Sequence, residues 1–124
     1  MSHDIVSDAL NQIMNAKKSG KTNVTVKNHS KFLLNVLAVG KLKKYIKQYT
    51  VNGTELVIEF GELHFCKAIK PRYIVKVHSI DKYIRRYLPA RDMGMIIVST
   101  SNGLMTHQTA LDKHLGGSLI AYFY

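Results

Sequence analysis

The last third of the chain constrains the fold most, because two apolar runs there are separated by a hydroxyl-rich turn and a pair of glycines. The runs cover residues 93–98 and 119–124, and each is typical of a buried strand. Ser and Thr hydroxyls, three of which fill positions 99–101, donate and accept hydrogen bonds without carrying charge. The sequence therefore predicts a sheet with hydroxyls and backbone N–H groups at one end, a pattern that suits contact with sugars, bases and phosphates.

The charge balance favours a polyanionic partner. The 124 residues include 18 Lys and Arg against 8 Asp and Glu, for a net charge of +10, and 46% are hydrophobic. Such an excess promotes salt-dependent binding to nucleic acid, while the apolar share is enough for a folded core. The single cysteine cannot form an intrachain disulfide, which fits an intracellular compartment. No signal-peptide pattern or apolar run of about 20 residues is found, so we expect a cytoplasmic protein without membrane contact.

The first half of the chain predicts a compact unit of helix, strand, helix and hairpin. Asp4 can cap a first helix that ends at Gly20, and residues 22–27 alternate like a strand. Asn28 or Ser30 can cap the second helix. Two strands, at 45–51 and 54–60, are joined by Asn52-Gly53, the dipeptide of a type I′ turn in which both residues have positive φ.

The second half is predicted to be mostly β, with two short helices. We place the domain boundary between residues 63 and 64. A strand should start near Pro71, and Ser79 can cap a helix over 80–87. Thr106 can cap another helix that runs to about His114 and is broken by Gly116-Gly117. The expected fold class is therefore α+β, an N-terminal α/β unit packed against a β-rich C-terminal unit.

Arginines and lysines alternate with tyrosines through this second half. Together they offer phosphate contacts and flat stacking surfaces, both of which are common in RNA binding. A solvated basic face is the alternative for any single residue. The basic residues are Lys67, Lys70, Arg72, Lys76, Arg85, Arg86 and Arg91, and the tyrosines are Tyr73, Tyr83 and Tyr87.

Enzyme and metal patterns are weak. The tetrapeptide at 19–22 imitates the end of a phosphate-binding loop, but Asn15 stands where that pattern needs its first glycine. Ser99, Ser101, His107 and Asp112 could supply a catalytic triad, although hydroxyls used as hydrogen-bond donors explain the same serines with fewer assumptions. Cys66 and His64 are too few for a zinc site. We expect no enzyme activity, no metal and no cofactor.

Five motifs occur in an order and spacing that resemble a known family. They are IMNA at 13–16, SKFLLNVL at 30–37, KPRYIVK at 70–76, LPARDMG at 88–94, and a C-terminal block of STSNG, LMTHQTA, GG and LIAYFY. The chain resembles, from Asp4 to Tyr124, the small-subunit ribosomal protein S-eight family in its archaeal and eukaryotic form. The resemblance implies a structural component of the small ribosomal subunit that binds the central domain of its RNA, helps assembly and lies beside neighbouring ribosomal proteins.

The resemblance also implies which residues contact RNA. The turn should do so directly, the glycine pair and an aromatic residue of the last strand should border the same surface, and the first helix should approach a second part of the RNA. With the basic residues above, the predicted RNA-binding set is Ser99, Thr100, Ser101, Asn102, Gly103, Gly116, Gly117, Tyr122, Lys70, Arg72, Arg85, Arg86, Asn11, Asn15 and Lys18. Three positions depart from the family pattern: Asn102, Ser118, and Lys44 where a glycine is usual. The alternative function is a free RNA-binding translational regulator that recognises a similar hairpin.

Overall fold

The computed structural model describes residues 5–90 and 93–124, and it confirms the predicted α+β class. The chain divides into two compact units, Met1–Cys66 and Lys67–Tyr124. The predicted domain boundary between residues 63 and 64 stays a prediction. The predicted helix cap at Asp4 and the predicted basic contact at Arg91 lie outside the described residues.

The first unit has the predicted order of helix, strand, helix and hairpin. Its elements are α1 (Ile5–Lys18), β1 (Asn23–Val26), α2 (Lys31–Leu42), β2 (Ile46–Asn52) and β3 (Glu55–Phe60). The three strands form an antiparallel sheet in the order β1-β3-β2. Leu56 and Ile58 are fully buried, whereas Thr25 and Gln48 on the other face of the sheet are exposed. This alternation is what a sheet with one buried face requires.

The helices of this unit begin and end at recognisable signals. Ser30 caps α2, because its Oγ accepts a hydrogen bond from the Leu33 N–H at 3.1 Å. Past the end of α1, Gly20 adopts a φ of 79°, as predicted for a residue that ends a helix. Lys44 takes the same left-handed conformation past α2, with a φ of 68°. At this position, where the family resemblance would place glycine, lysine adopts the left-handed conformation that glycine favours.

The hairpin forms where it was predicted, but its turn type was predicted wrongly. Asn52 pairs with Glu55, so the two central residues are Gly53 and Thr54. Of these, Gly53 alone has a positive φ, 67°. A positive φ at the first central residue only is the pattern of a type II′ turn, which places glycine first. Asn52 belongs to the strand because its pairing with Glu55 extends β2 by one residue.

Over its described residues, the second unit contains one five-stranded sheet and two short helices. Its elements are β4 (Cys66–Ala68), which spans the division between the units, β5 (Ile74–Val75), α3 (Ile80–Tyr87), β6 (Met95–Thr100), β7 (Gly103–Thr106), α4 (His107–Asp112) and β8 (Gly117–Phe123). A 3₁₀ turn, Val77–Ser79, precedes α3. The sheet order is β4-β8-β6-β7, and β5 also pairs with β8. The buried core of the unit includes Ile80 and Ile84 of α3, Val98 of β6 and Leu119 of β8.

Four details of this unit differ from the prediction. The strand expected to start near Pro71 is β5, which covers only Ile74–Val75. Ser79 precedes α3 but makes no capping hydrogen bond through its side chain. Past α4, which ends at Asp112, His114 adopts a φ of 55°, so the chain leaves the helix before it reaches the glycine pair. The Leu115 N–H then bonds the Ala110 carbonyl, which closes the helix end by backbone hydrogen bonds alone. Strands β4 and β7 were not predicted.

Candidate nucleic-acid interface

Four side chains form a row across the second sheet, here called the serine row. Ser99 of β6 pairs with Ser118 of β8 and with Leu104 of β7, and Ser118 pairs with Ile74 of β5. Directly paired residues of antiparallel strands point to the same face. Leu119, which follows Ser118, and Val98, which precedes Ser99, both lie in the core. The serine row therefore faces away from that core, with Ile74 86% exposed at its end.

The turn beyond the serine row is held by one hydroxyl. Thr100 Oγ1 donates to the Gly103 carbonyl at 2.9 Å and accepts from the Asn102 N–H at 3.1 Å. Gly103 has a φ of 106°, a conformation that favours glycine. Ser101 and Asn102 are exposed at the tip. Thr100 therefore fixes the shape of the turn, while the side chains of Ser101 and Asn102 face solvent.

The glycine pair lets β8 enter the sheet between its neighbours. A Cβ on Gly116 would lie 2.5 Å from the Val75 carbonyl oxygen of β5. One on Gly117 would overlap the carbonyl oxygen of Ser99 in β6. Neither glycine has a positive φ, so close backbone approach explains both positions. The pair thus sets the spacing of the strands that carry the serine row.

The predicted basic residues of the second unit that the structure describes are exposed. Arg85 and Arg86 both lie on α3. Arg85 pairs with Asp81 one helical turn away, with 3.3 Å between Nη2 and Oδ2. Exposed pairs of this kind contribute little to stability. The Arg86 guanidinium lies 5.7 Å from the centre of the Tyr73 ring and 5.5 Å from that of Tyr87. Lys70 and Arg72 are exposed between β4 and β5.

Five tyrosines of the second unit form a continuous series that only the structure reveals. Sequence reasoning singled out Tyr73, Tyr83 and Tyr87 as one group and Tyr122 separately. Tyr87 and Tyr122 are 5.0 Å apart between ring centres, and they join the two groups. Burial raises the pKa of Tyr87, an effect that the charge of Arg86 partly opposes. Spacing along α3 could have placed Tyr83 beside Tyr87, but nothing in the sequence indicates that β8 lies next to them.

The residues of α1 that were predicted to bind RNA belong to the first unit. Asn11, Asn15 and Lys18 are exposed on the helix. The Asn15 carbonyl accepts hydrogen bonds from the backbone N–H and the hydroxyl of Ser19. All three side chains therefore lie on a polar, solvent-facing surface of α1.

His107 and Cys66, which were considered for catalysis or metal binding, are both buried in the fold. His107 is 1% exposed, and its Nδ1 accepts a hydrogen bond from the Ile96 N–H at 3.0 Å. A triad histidine instead donates from this nitrogen to a carboxylate, and the triad candidate Asp112 is exposed. Cys66 is buried, and burial raises the pKa of its thiol to about 12. Within residues 5–90 and 93–124, no three metal-binding side chains are grouped so that they could hold an ion.

The fold and this surface together define a class, that of small basic α+β proteins with a hydroxyl-rich turn and exposed arginines. A family model for ribosomal protein S8 matches residues 4–124. Two curated relatives each align with this chain over 129 residues. Each alignment covers the whole of this chain and the whole of the relative. The small ribosomal subunit protein uS8 of Archaeoglobus fulgidus is 42% identical, and the protein of the same name from Picrophilus torridus is 38% identical. The chain belongs to the ribosomal protein S8 family.

The helices were also compared with the requirements of a membrane span. Among the described residues, none of the helices combines the length and the apolar character needed to cross a bilayer.

Proposed function

We propose that this chain is a structural constituent of the small ribosomal subunit in the cytoplasm, and that it is not an enzyme. It binds the central domain of the small-subunit ribosomal RNA, helps that domain to assemble, and lies beside neighbouring ribosomal proteins. The family membership and the names of the relatives support this role. We assign RNA binding mainly to residues 64–124, as the C-terminal domain.

The serine row carries this proposal. Ser99 and Ser118 are direct partners across β6 and β8, and the turn held by Thr100 places Ser101 beyond them. Uncharged hydroxyls and backbone N–H groups at fixed spacing suit an irregular RNA helix, which proteins recognise by shape and by its sugar and phosphate groups. Their lack of charge means that they add selectivity with little salt dependence.

The remaining predicted residues supply affinity in this proposal. Lys70, Arg72, Arg85 and Arg86 neutralise phosphates and release counterions, so their contribution falls as salt rises. Gly116 and Gly117 act through the spacing of the strands. Tyr122, which pairs with Ile96 on the core-facing side of the sheet, contributes an aromatic contact. Asn11, Asn15 and Lys18 contact a second part of the RNA from the first unit.

The test is binding of the full chain to a central-domain RNA fragment, compared with bulk transfer RNA at several salt concentrations. We expect a preference for the fragment that persists as salt rises. Ser101→Ala should reduce that preference by roughly tenfold, as for loss of one hydrogen bond, with an unchanged salt slope. Arg85→Ala should lower the slope by about one. Thr54→Ala, which removes an exposed hydroxyl from the turn of the first unit, is the matched control.

Two results would contradict the proposal. Equal binding of both RNAs, lost together as salt rises, would leave only nonspecific attraction to a basic protein. Selective RNA binding without co-sedimentation with small ribosomal subunits would instead support the free translational regulator.

A further inference from the structure

The five tyrosines Tyr73, Tyr83, Tyr87, Tyr122 and Tyr124 form what we call the tyrosine ladder. Neighbouring ring centres are 5.6 Å apart for Tyr73 and Tyr83, and 6.4 Å apart for Tyr83 and Tyr87. The series continues over 5.0 Å from Tyr87 to Tyr122 and over 6.4 Å from Tyr122 to Tyr124. These distances lie within the range of favourable aromatic pairs. The ladder is therefore one connected surface of the second unit.

The position of the ladder follows from helix and strand periodicity. Ile80 and Ile84 are buried in the core, four residues apart on one side of α3. Tyr83 and Tyr87 have the same spacing and lie side by side along the helix. Tyr122 of β8 meets Tyr87 there. Each of the five tyrosines packs against the core but remains partly exposed.

Two cations lie next to this aromatic surface. The Arg86 guanidinium lies within 6 Å of the Tyr73 and Tyr87 ring centres, and Lys82 Nζ is 5.9 Å from the centre of the Tyr83 ring. Both cations are exposed. The one acidic residue of α3, Asp81, is paired with Arg85. The ladder thus combines flat rings with positive charge that acidic side chains of its own helix offset only in part.

We propose that the tyrosine ladder is a second RNA subsite, which takes unpaired nucleotides by stacking bases on tyrosines while Arg86 and Lys82 contact the phosphates. This inference rests on the proposed function, since it assumes an RNA partner. Aromatic side chains that stack bases beside basic groups are a general means of binding single strands. The serine row, with its uncharged hydroxyls, suits a different and structured part of the RNA.

The test measures the affinity of the full chain for two short unstructured oligonucleotides of equal length. One is ordinary RNA, and the other has abasic sugars. Both carry the same phosphates, so a difference in affinity measures the bases. We expect tighter binding of the ordinary strand. The chain has seven tyrosines and no tryptophan, so quenching of its intrinsic fluorescence should report stacking.

Variants then locate the effect. The double variant Tyr83→Leu, Tyr87→Leu should lose the preference for base-bearing RNA by about tenfold, with an unchanged salt slope. Tyr83→Phe with Tyr87→Phe keeps the rings and should bind nearly as the parent does. Tyr49→Leu is the matched control, because Lys41 Nζ lies 6.0 Å from the Tyr49 ring in the first unit. Circular dichroism checks that each variant folds.

Arg86→Gln tests the proposed phosphate contact without changing any of the packed rings. It should weaken binding of both oligonucleotides and lower the salt slope by about one. Equal affinity of the parent chain for the ordinary and abasic strands would overturn the subsite. So would an equal loss in the leucine and phenylalanine variants, or in Tyr49→Leu. If the central-domain fragment is still bound selectively in those cases, the proposed function stands without the subsite.

Discussion

A Cβ placed on Gly117 would overlap the carbonyl oxygen of Ser99, so a side chain at residue 117 has no room. Ser99 in turn pairs with Ser118, the residue next to this glycine. The contact therefore couples a backbone requirement to the serine row: the strands can hold the two hydroxyls side by side only if residue 117 lacks a Cβ. This relationship leads to a direct test of how the site depends on the spacing of the sheet.

Gly117→Ala should destabilise the protein and weaken selective RNA binding. The new methyl group meets backbone atoms of β6, which cannot move aside as a flexible side chain would, and overpacking of this kind costs about 1–3 kcal/mol. Urea unfolding measures the stability, and binding to the central-domain fragment measures the site.

Gly53→Ala separates the two effects of that change. Gly53 has open space around it and a φ of 67°, so alanine there costs about 1 kcal/mol through the backbone alone. We expect it to lower stability and leave RNA binding unchanged. Loss of RNA selectivity in Gly53→Ala as large as in Gly117→Ala would show that stability, and not the spacing of the serine row, governs binding.

Lys44→Gly should stabilise the first unit by about 0.5–1 kcal/mol. Lys44 lies just past the α2 C-cap, Lys43, with a φ of 68°, and the Tyr45 N–H bonds the Gly40 carbonyl in the pattern of a Schellman motif. Glycine adopts this conformation without strain, although it also gains freedom in the unfolded chain. Thermal or urea unfolding measures the change.

The matched control is one residue earlier in the chain. Lys43 has a φ of −96°, so Lys43→Gly removes the same charge without relieving strain and should be destabilising. Stabilisation by both substitutions would mean that the lost charge, and not the left-handed backbone, accounts for the result at Lys44.

His107→Leu should cost about 1–3 kcal/mol, because it leaves the buried Ile96 N–H without its acceptor. Faster hydrogen exchange at the Ile96 amide would be the local sign of that loss. His78→Leu is the control, since His78 is exposed in the same unit and should change stability by less than about 0.5 kcal/mol. An unchanged exchange rate at Ile96 would argue against this role of His107.

Local signals in the sequence predicted much of the fold, because they are carried by residues close together in the chain. The bounds of α3 and the caps at Ser30 and Thr106 are of this kind. The strands that were missed are short: Cys66–Ala68 gives no measurable period, and Gly103–Thr106 follows directly on a turn. His114 was missed because left-handed helix ends are usually glycine, and two glycines stood nearby.

The candidate site depends on register, which the sequence does not contain. The register of β6 against β8 shifts between Ile97 and Val98, and this irregularity decides that Ser99 meets Ser118. The contact of Tyr87 with Tyr122 likewise depends on how α3 packs on the sheet. Composition and motifs could predict which residue types bind RNA, whereas their arrangement into a serine row and a tyrosine ladder required the tertiary structure.

The thiol of Cys66 should be unreactive in the folded protein at pH 8. Its Sγ is buried and lies 3.8 Å from the Leu10 carbonyl oxygen, and burial raises its pKa from 9.0 to about 12. The thiolate, which is the reactive form, is therefore rare at pH 8. Since Cys66 is the only cysteine, labelling by a thiol reagent reports this site alone, and we expect it to become rapid only in denaturant.

The raised pKa of Cys66 also makes the free energy of unfolding depend on pH in the alkaline range. A pKa that is higher in the folded state means that the folded protein holds the proton more tightly. The corresponding contribution to stability is complete below about pH 9 and is lost as pH rises from 9 towards 12. Cys66→Ala should remove this part of the alkaline destabilisation, when both proteins are unfolded in urea across that range. Rapid labelling of the native parent at pH 8, or identical pH curves for the two proteins, would contradict the raised pKa.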